Sequence, residues 1–384
     1  MRVALVTNIV APYRVPVLRR LAATPGWQLR IFISAVTEFD RSWVVDTGDL
    51  DVELVPGIST VERGATRHVP LGLPLALRRF RPDVVVSVEL GARSWIAWAS
   101  CALLRVPLVL WSYPPRVERD FVAGGGLALR RALLRRAGAV IGMGTQAREV
   151  LIGWGADPEA IHDAPNAHDE DGLRKALAAV DAEAGRLGLR AALGCRERVA
   201  LYAGRLLASK GVALLLDAWD ELDPGLRDGW TLCFVGDGPL EARVRHAGRT
   251  HRPGEIVHVP AVPPAELAAF YSASELLVLP SLREPWGLVV NEAMASGIPV
   301  CASRLVGCAD DLVREGVTGW LFDPRVSEDF SAALARALAC PDRAELGARA
   351  REHVTRFGPD SMATGIFRAI DFAVRRGTRG AGSP

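Results

Sequence analysis

The amino-acid sequence predicts an α/β protein made of two Rossmann-like domains, and three observations support this. The chain of 384 residues is longer than one hydrophobic core usually supports. Short apolar runs alternate with helical patterns in both halves, which is typical of βαβ units on a parallel sheet. A polar, turn-rich stretch at residues 163–172 separates the two halves.

Ten apolar runs predict the buried strands of the two sheets. In the first half they lie at residues 3–7, 29–34, 84–88, 108–111 and 139–143. In the second half they lie at residues 199–203, 231–235, 256–259, 276–279 and 299–302. Ligands of open parallel sheets bind beyond the carboxyl ends of the strands. We therefore expect the loops after residues 203, 235 and 279 to face one crevice.

The same patterns set the expected domain bounds. An Ala-rich helical pattern at 173–188 follows the turn-rich stretch, and helical patterns continue from residue 330 to about residue 376 with a break near 357–359. We expect an N-terminal domain at 1–172, a hinge region at 173–196, a C-terminal domain at 197–355, a closing helix at 356–376 and a disordered tail at 377–384.

Composition and charge exclude several classes of protein. A net charge of +2 lacks the strong basic excess of a nucleic-acid-binding protein. The six cysteines have neither disulfide nor metal-ligand spacing, which indicates a reducing cytoplasm. The first apolar run is too short for a signal peptide, and Arg105 and Pro107 interrupt the apolar stretch at 94–111. We expect a cytoplasmic protein without a transmembrane segment.

The most informative part of the chain pairs two carboxylates with a helix start. Glu284 is followed by Pro285, which suits the first turn of a helix, and the pattern predicts a helix at about 287–296 that contains Glu292. Glutamates are also common near helix starts simply because they favour the helix dipole. The first free N–H groups of this helix, at residues such as Gly287, Leu288 and Val289, would suit a phosphate.

Two cations follow the strand at 199–203. The chain has only two lysines, so Lys210 stands out where arginine serves almost everywhere else. Together with Arg205, in the loop that begins at Gly204, it would neutralise a diphosphate at the mouth of the crevice. The next loop begins at Gly236, where glycine permits either a close approach to a ligand or a turn into a helix.

These elements together resemble the C-terminal half of retaining glycosyltransferases of family 4, which have the GT-B fold, over about residues 199–324. The resemblance implies two Rossmann-like domains that face an interdomain cleft, an N-terminal acceptor domain, a C-terminal donor domain and a closing helix that crosses back. By the same resemblance Arg205 and Lys210 hold the donor diphosphate, Glu284 contacts donor-sugar hydroxyls, and Glu292 contacts the ribose.

The resemblance also implies the chemistry. The expected enzyme moves a sugar from a nucleoside-diphosphate sugar to a hydroxyl of a glycan, a lipid-linked saccharide or a small-molecule glycoside, with retained configuration. It needs no metal or other cofactor, and we interpret the Asp49-Leu50-Asp51 triplet as surface charge. A GT-B nucleotide-sugar epimerase and a non-catalytic nucleotide-sugar binding subunit remain alternatives. No Gly-x-Gly-x-x-Gly pattern follows the first strand of either half, which disfavours a dinucleotide-dependent dehydrogenase.

The N-terminal half departs from the family pattern. Its first loop carries Tyr13 and Arg14 in place of a Gly-Gly pair, and they are candidates for acceptor or phosphate contact or for packing of the loop. Trp111 stands near the position after the fourth strand where relatives often have histidine, and it is a third candidate. The basic amphipathic pattern at 126–137 fits either a packed helix with a solvated face or a helix on an anionic membrane.

Overall fold

The computed structural model describes residues 1–37, 45–62, 65–180 and 184–380. The chain divides into two compact units. The N-terminal unit contains Met1–Ala167 together with Pro359–Pro384, and the C-terminal unit contains His168–Gly358. The closing helix of the chain therefore belongs to the same unit as the first half.

Strands and helices alternate along most of the described chain. The strands are β1 (Arg2–Thr7), β2 (Gln28–Ile33), β3 (Val52–Leu54), β4 (Ile58–Glu62), β5 (Ala65–Val69), β6 (Val84–Val88), β7 (Leu108–Ser112), β8 (Ala139–Gly142), β9 (Ile161–Asp163), β10 (Arg198–Ala203), β11 (Trp230–Val235), β12 (Ile256–Val259), β13 (Leu276–Leu279), β14 (Val300–Ser303) and β15 (Gly319–Phe322).

The α-helices include long packed helices and several single turns. They are α1 (Val15–Ala22), α2 (Leu73–Phe80), α3 (Ala92–Leu104), α4 (Glu118–Phe121), α5 (Gly124–Leu134), α6 (Gly144–Gly153), α7 (Glu170–Ala179), α8 (Ala184–Leu193), α9 (Val212–Glu221), α10 (Pro224–Arg227), α11 (Glu241–Thr250), α12 (Pro264–Ser272), α13 (Leu288–Ala295), α14 (Ala309–Leu312), α15 (Ser327–Ala339), α16 (Arg343–Val354) and α17 (Pro359–Gly380).

Each unit is built on one parallel sheet. The N-terminal sheet has seven strands in the order β3-β2-β1-β6-β7-β8-β9, and the C-terminal sheet has six in the order β12-β11-β10-β13-β14-β15. Both orders reverse direction beside the first strand of the unit, between β1 and β6 and between β10 and β13. The predicted α/β class with two Rossmann-like halves is confirmed, and the reversal points are where such sheets bind ligands.

The N-terminal sheet is buried on both faces, as a parallel sheet requires. Val3 and Leu5 of β1 join one apolar cluster, which includes residues of α1 and α17. Ala4 and Val6 join the cluster on the other face, which includes residues of α2 and α3. This double burial explains why the central strands read as continuous apolar runs rather than as alternating patterns.

The predicted strands all occur, with ends shifted by no more than one residue. The sequence reading missed β3, the antiparallel β4-β5 hairpin, β9 and β15. Most of these are short or lie at sheet edges, so their apolar patterns are weak and tertiary pairing decides them. No helix among the described residues is long and apolar enough to cross a bilayer.

The segment between the units differs in detail from the predicted helix at 173–188. Two helices, α7 and α8, occupy this part of the chain, and residues 181–183 between them lie outside the described residues. The Asp169 side chain caps α7 by accepting a hydrogen bond from the Gly172 N–H at 3.0 Å. At the other end of the chain, α17 continues through Gly380, and the rest of the expected tail, 381–384, lies outside the described residues.

Candidate active site

Two loops at the carboxyl edge of the C-terminal sheet are joined through their backbones. The N–H groups of Leu282 and Arg283, in the loop after β13, donate to the Ser209 carbonyl, in the loop after β10, at 3.0 and 3.2 Å. Gly211 has φ +70°, and a Cβ atom there would lie 2.0 Å from the Pro280 carbonyl oxygen. Only glycine permits this close approach, which fixes the two loops side by side.

The joined loops bring Lys210 and Glu284 together. The Lys210 ammonium donates to Oε2 of Glu284 and forms an ion pair with it. The two side chains are only 21% and 18% exposed, so solvent screens the pair less than a surface pair. Arg205 lies on the same β10 loop with an exposed side chain, and its carbonyl accepts a hydrogen bond from the Tyr202 hydroxyl at 2.8 Å.

The predicted helix after Glu284 occurs as α13, with one correction. Pro285 lies before the helix rather than in its first turn, and Gly287 is the N-cap with φ +99°. A Cβ atom at Gly287 would lie 2.9 Å from the Val306 side chain, so this position requires glycine on steric and conformational grounds. Leu288 and Val289 follow as the first helical residues, whose N–H groups have no partner within a helix.

Glu292 lies inside α13 and has a partner that the sequence reading missed. The Tyr271 hydroxyl, from α12, donates to Oε2 of Glu292 at 2.7 Å. Burial raises the pKa of Glu292 to about 7, although the Tyr271 hydrogen bond acts in the opposite direction. Near neutral pH the side chain therefore populates both its acid and its carboxylate form. No pattern in the sequence links these two residues, because their helices meet only in the folded unit.

The glycines in the loop after β11 allow the loop after β10 to pack closely against it. A Cβ atom at Gly236 would lie 2.0 Å from the Gly204 carbonyl oxygen, and one at Gly238 would lie 2.6 Å from the Leu206 carbonyl oxygen. The Leu206 N–H in turn donates to the Asp237 carbonyl at 2.8 Å. Tight packing of the β10 and β11 loops thus requires these glycines, and the role of Gly204 and Gly236 in donor binding stays a prediction.

One group of described side chains has the spacing of metal ligands. The candidate ligand atoms of Asp237, Glu241 and His258 all lie within 4.8 Å of one another. His258 Nε2 is hydrogen bonded to the Gly236 carbonyl at 2.9 Å, and Arg245 contacts both Glu241, at 2.6 Å, and His258 Nδ1, at 3.4 Å. The Arg245 guanidinium repels a cation at this position. The expectation that the enzyme needs no metal stays a prediction.

The candidates in the N-terminal unit lie together, with Tyr13 and Arg14 in the loop after β1 and Trp111 near the end of β7. The Arg14 guanidinium carbon lies 4.9 Å from the Trp111 ring centroid, 5.5 Å from that of Tyr113 and 5.9 Å from that of Tyr13. Arg14 and Trp111 are both buried, whereas Tyr13 is half-buried. The structure therefore brings the three predicted residues together and adds Tyr113, which the sequence reading did not select.

Comparison with known proteins links the C-terminal unit to one family. Residues 191–353 match the family model "Glycosyl transferases group 1". This stretch contains the Lys210–Glu284 pair and α13. It is a glycosyltransferase group 1 domain.

Curated relatives match this chain over a longer stretch than the group 1 domain. The chain is 33% identical to "D-inositol 3-phosphate glycosyltransferase" of Acidothermus cellulolyticus, over 58% of this chain and 50% of the relative. It is 29% identical to the protein of the same name from Streptomyces bingchenggensis, over 91% of this chain and 82% of the relative. The chain spans about half the length of the first curated relatives it matches.

A solved structure shares the fold across both units. The Anabaena protein Alr3699/HepE in complex with UDP-glucose superposes with a TM-score of 0.73 at 19% identity, over 97% of this chain and 99% of that chain. The GT-B fold that the resemblance to family 4 implies is thereby confirmed.

The raised pKa of Glu292 predicts how stability changes with pH. The folded unit binds this proton more tightly than the unfolded chain, so the contribution to stability is full below about pH 4.5 and is lost as pH rises through about 7. Relative to Glu292→Gln, we expect the wild type to lose up to about 3 kcal/mol of unfolding free energy across this range.

Urea unfolding at a series of pH values measures this difference. Glu266→Gln, which changes an exposed glutamate at the start of α12, is the matched control and should follow the wild-type profile. If the unfolding free energies of the wild type and Glu292→Gln changed in parallel with pH, the raised pKa of Glu292 would be contradicted.

Proposed function

We propose that the protein is a retaining glycosyltransferase that moves a sugar from a nucleoside-diphosphate sugar to an acceptor hydroxyl without a metal. The observation that carries the proposal is the partly buried Lys210–Glu284 pair next to the start of α13, within the group 1 domain. This arrangement sets a cation and a carboxylate beside free helical N–H groups. A nucleotide-sugar offers phosphates and hydroxyls that match both kinds of group.

The proposed roles follow from charge and geometry. Lys210, Arg205 and the first N–H groups of α13 stabilise the diphosphate as it leaves, because charge-assisted hydrogen bonds are strongest to the developing anion. Glu284 accepts hydrogen bonds from donor-sugar hydroxyls. Glu292 accepts them from the ribose, and Tyr271 orients its carboxyl group.

Retention follows from attack on the face that the leaving group occupies. The bond from the anomeric carbon to the β-phosphate oxygen breaks, the bond to the acceptor oxygen forms on the same face, and the acceptor proton passes to the leaving phosphate. The side chains of the group 1 domain then need only hold charge and position, so neither glutamate acts as a proton-transfer residue.

The known proteins suggest the first substrates to test. UDP-glucose is the ligand of the Anabaena structure, and the named curated relatives act on an inositol phosphate. We propose a nucleoside-diphosphate sugar as donor and a saccharide, lipid-linked saccharide or small glycoside as acceptor, in the cytoplasm. Tyr13 and Arg14 in the N-terminal unit are the proposed supports of acceptor binding.

Replacing Lys210 tests the phosphate site. We expect Lys210→Ala to weaken nucleoside-diphosphate binding roughly 10- to 100-fold, the effect of losing one charge-assisted hydrogen bond. Thermal shift with UDP, GDP, ADP and dTDP selects the base, and calorimetry with that nucleotide measures the affinity. The other lysine of the chain, Lys175, is exposed on α7, so Lys175→Ala is the matched control. Unchanged affinity in Lys210→Ala would remove Lys210 from the phosphate site.

Replacing Glu284 separates sugar recognition from diphosphate binding. We expect Glu284→Ala and Glu284→Gln to reduce transfer about 100-fold or more, because the sugar loses its positioning carboxylate. Nucleoside-diphosphate affinity should stay equal or increase, since Lys210 no longer pairs with Glu284. Turnover is followed by release of nucleoside diphosphate with and without acceptor. Wild-type turnover in either variant would disprove this role, and isomerised donor without acceptor would favour an epimerase.

We also propose that the N-terminal unit contacts an anionic membrane through the basic segment at 126–137, which includes most of α5, and through the arginines near it. Leu129 on α5 is 58% exposed and Leu103 at the end of α3 is 84% exposed. A nearby pocket of about 360 Å³ is lined by Arg105, Arg136 and Arg376, among other residues. Exposed leucines beside several arginines suit a bilayer surface that presents anionic headgroups.

Vesicle sedimentation tests the membrane contact. We expect binding to vesicles of phosphatidylcholine with phosphatidylglycerol and none to phosphatidylcholine alone. Arg105→Gln with Arg136→Gln should weaken binding about 30-fold, because each arginine contributes about 1 kcal/mol near such a surface. Leu71→Ser with Leu75→Ser is the control, since these leucines are exposed by 60% and 53% near the start of α2. Equal sedimentation with both kinds of vesicle would contradict the proposal.

A further inference from the structure

One residue at the carboxyl edge of the N-terminal sheet has an unfavourable backbone conformation. Glu89 follows β6 directly and has φ +71°. Among the described residues, the other non-glycine residues with positive φ are Arg81 and Arg105, and both are helix C-caps, where this conformation is common. Glu89 instead ends a strand, at a position where glycine would avoid the strain.

The surrounding structure imposes this conformation on Glu89. Its N–H donates to the Trp111 carbonyl at 2.8 Å, which continues the pairing of β6 with β7. Its carbonyl accepts a hydrogen bond from the Ser94 hydroxyl. Arg93 also donates to the Val88 carbonyl at 3.2 Å. Strain of this kind persists only where several contacts overdetermine the backbone, and it is concentrated at functional sites.

The Glu89 carboxylate is held from one side and exposed on the other. The Tyr113 hydroxyl donates to Oε1 at 3.4 Å, and the Arg93 guanidinium lies 3.8 Å from Oε2. The Arg93 side chain is only 7% exposed, whereas that of Glu89 is 51% exposed. Both carboxylate oxygens therefore have a protein partner, and half of the side chain remains open to a ligand.

Arg14 supports this arrangement through Tyr113. It is 7% exposed, its Nε atom has no hydrogen-bond partner, and its guanidinium lies against the rings of Tyr113 and Trp111. Burial alone would lower the Arg14 pKa, but Tyr13, Tyr113 and Glu89 raise it on balance. Arg14 is therefore a fixed cation that holds the Tyr113 ring in place for its contact with Glu89.

We propose that Glu89 binds hydroxyl groups of the acceptor saccharide and that Tyr113, Arg14 and Arg93 are its positioning residues. A carboxylate whose oxygens are held from behind accepts hydrogen bonds from adjacent hydroxyls in a fixed orientation. The half-buried ring of Tyr13, whose centroid lies 5.9 Å from the Arg14 guanidinium carbon, suits the C–H face of a sugar. The proposal rests on the proposed glycosyltransferase function and names the acceptor-recognising side chain of this unit.

The strain at Glu89 gives a test that separates binding from structure. Glu89→Gly removes the carboxylate and the strain together, so its thermal midpoint should equal or exceed that of the wild type. Its KM for the acceptor should rise at least about tenfold, while its KM for the donor and its affinity for UDP stay within about twofold. Glu89→Gln should show a smaller rise in acceptor KM. Tyr113→Phe should shift acceptor KM in the same direction through loss of the hydroxyl.

The assay uses UDP-glucose as donor and a panel of p-nitrophenyl monosaccharides as acceptors, and it scores the acceptor that the wild type uses best. Glu53→Gln is the matched control, because Glu53 is a partly exposed glutamate of the same unit that pairs with Arg30 between β3 and β2. Unchanged acceptor KM in Glu89→Gly would overturn the Glu89 proposal alone. A lower thermal midpoint with parallel loss of UDP affinity would show a structural role instead. A wild type that binds none of UDP, GDP, ADP and dTDP and transfers no sugar would overturn the proposed function and this inference with it.

Discussion

The close approach of the β10 and β13 loops is the constraint on which the candidate site depends. Parallel pairing of β10 with β13 ends both strands at the same edge, and Gly211 lets one loop lie directly against the Pro280 carbonyl of the other. Without that contact Lys210 and Glu284, which are 74 residues apart in the chain, would not form an ion pair. The electrostatics of the site therefore follow from backbone packing that a single glycine makes possible.

The two units place different residue types at positions of positive φ near their candidate sites. In the C-terminal unit, positive φ beside the site is assigned to glycines, such as Gly287 at the start of α13. In the N-terminal unit, a glutamate occupies such a position at the end of β6. Glycine relieves strain and allows close backbone approach, whereas Glu89 retains strain and gains a carboxylate at the sheet edge. This contrast is the physical reason to assign Glu89 a role in binding.

Much of the site could be predicted because its parts are local in sequence. The order of glutamate, helix start and second glutamate lies within nine residues, so capping rules and periodicity correctly place Glu284 before α13, Gly287 at its start and Glu292 within it. The prediction that Pro285 lies in the first turn of the helix was wrong, because Gly287 is the N-cap and Pro285 lies two residues before it. Tyr271, Tyr113 and Glu89 were not selected, since each acquires its partner from a different strand or helix.

The sequence by itself determined the class of the fold, ten of the strands and the short motifs of the group 1 domain, because hydrophobic periodicity and turn chemistry are properties of neighbouring residues. Only the tertiary structure decided which distant side chains meet and how strongly they interact. The burial that raises the pKa of Glu292, the aromatic rings around Arg14 and the strained backbone of Glu89 all depend on strand order and packing. These are long-range consequences of folding, which no local pattern encodes.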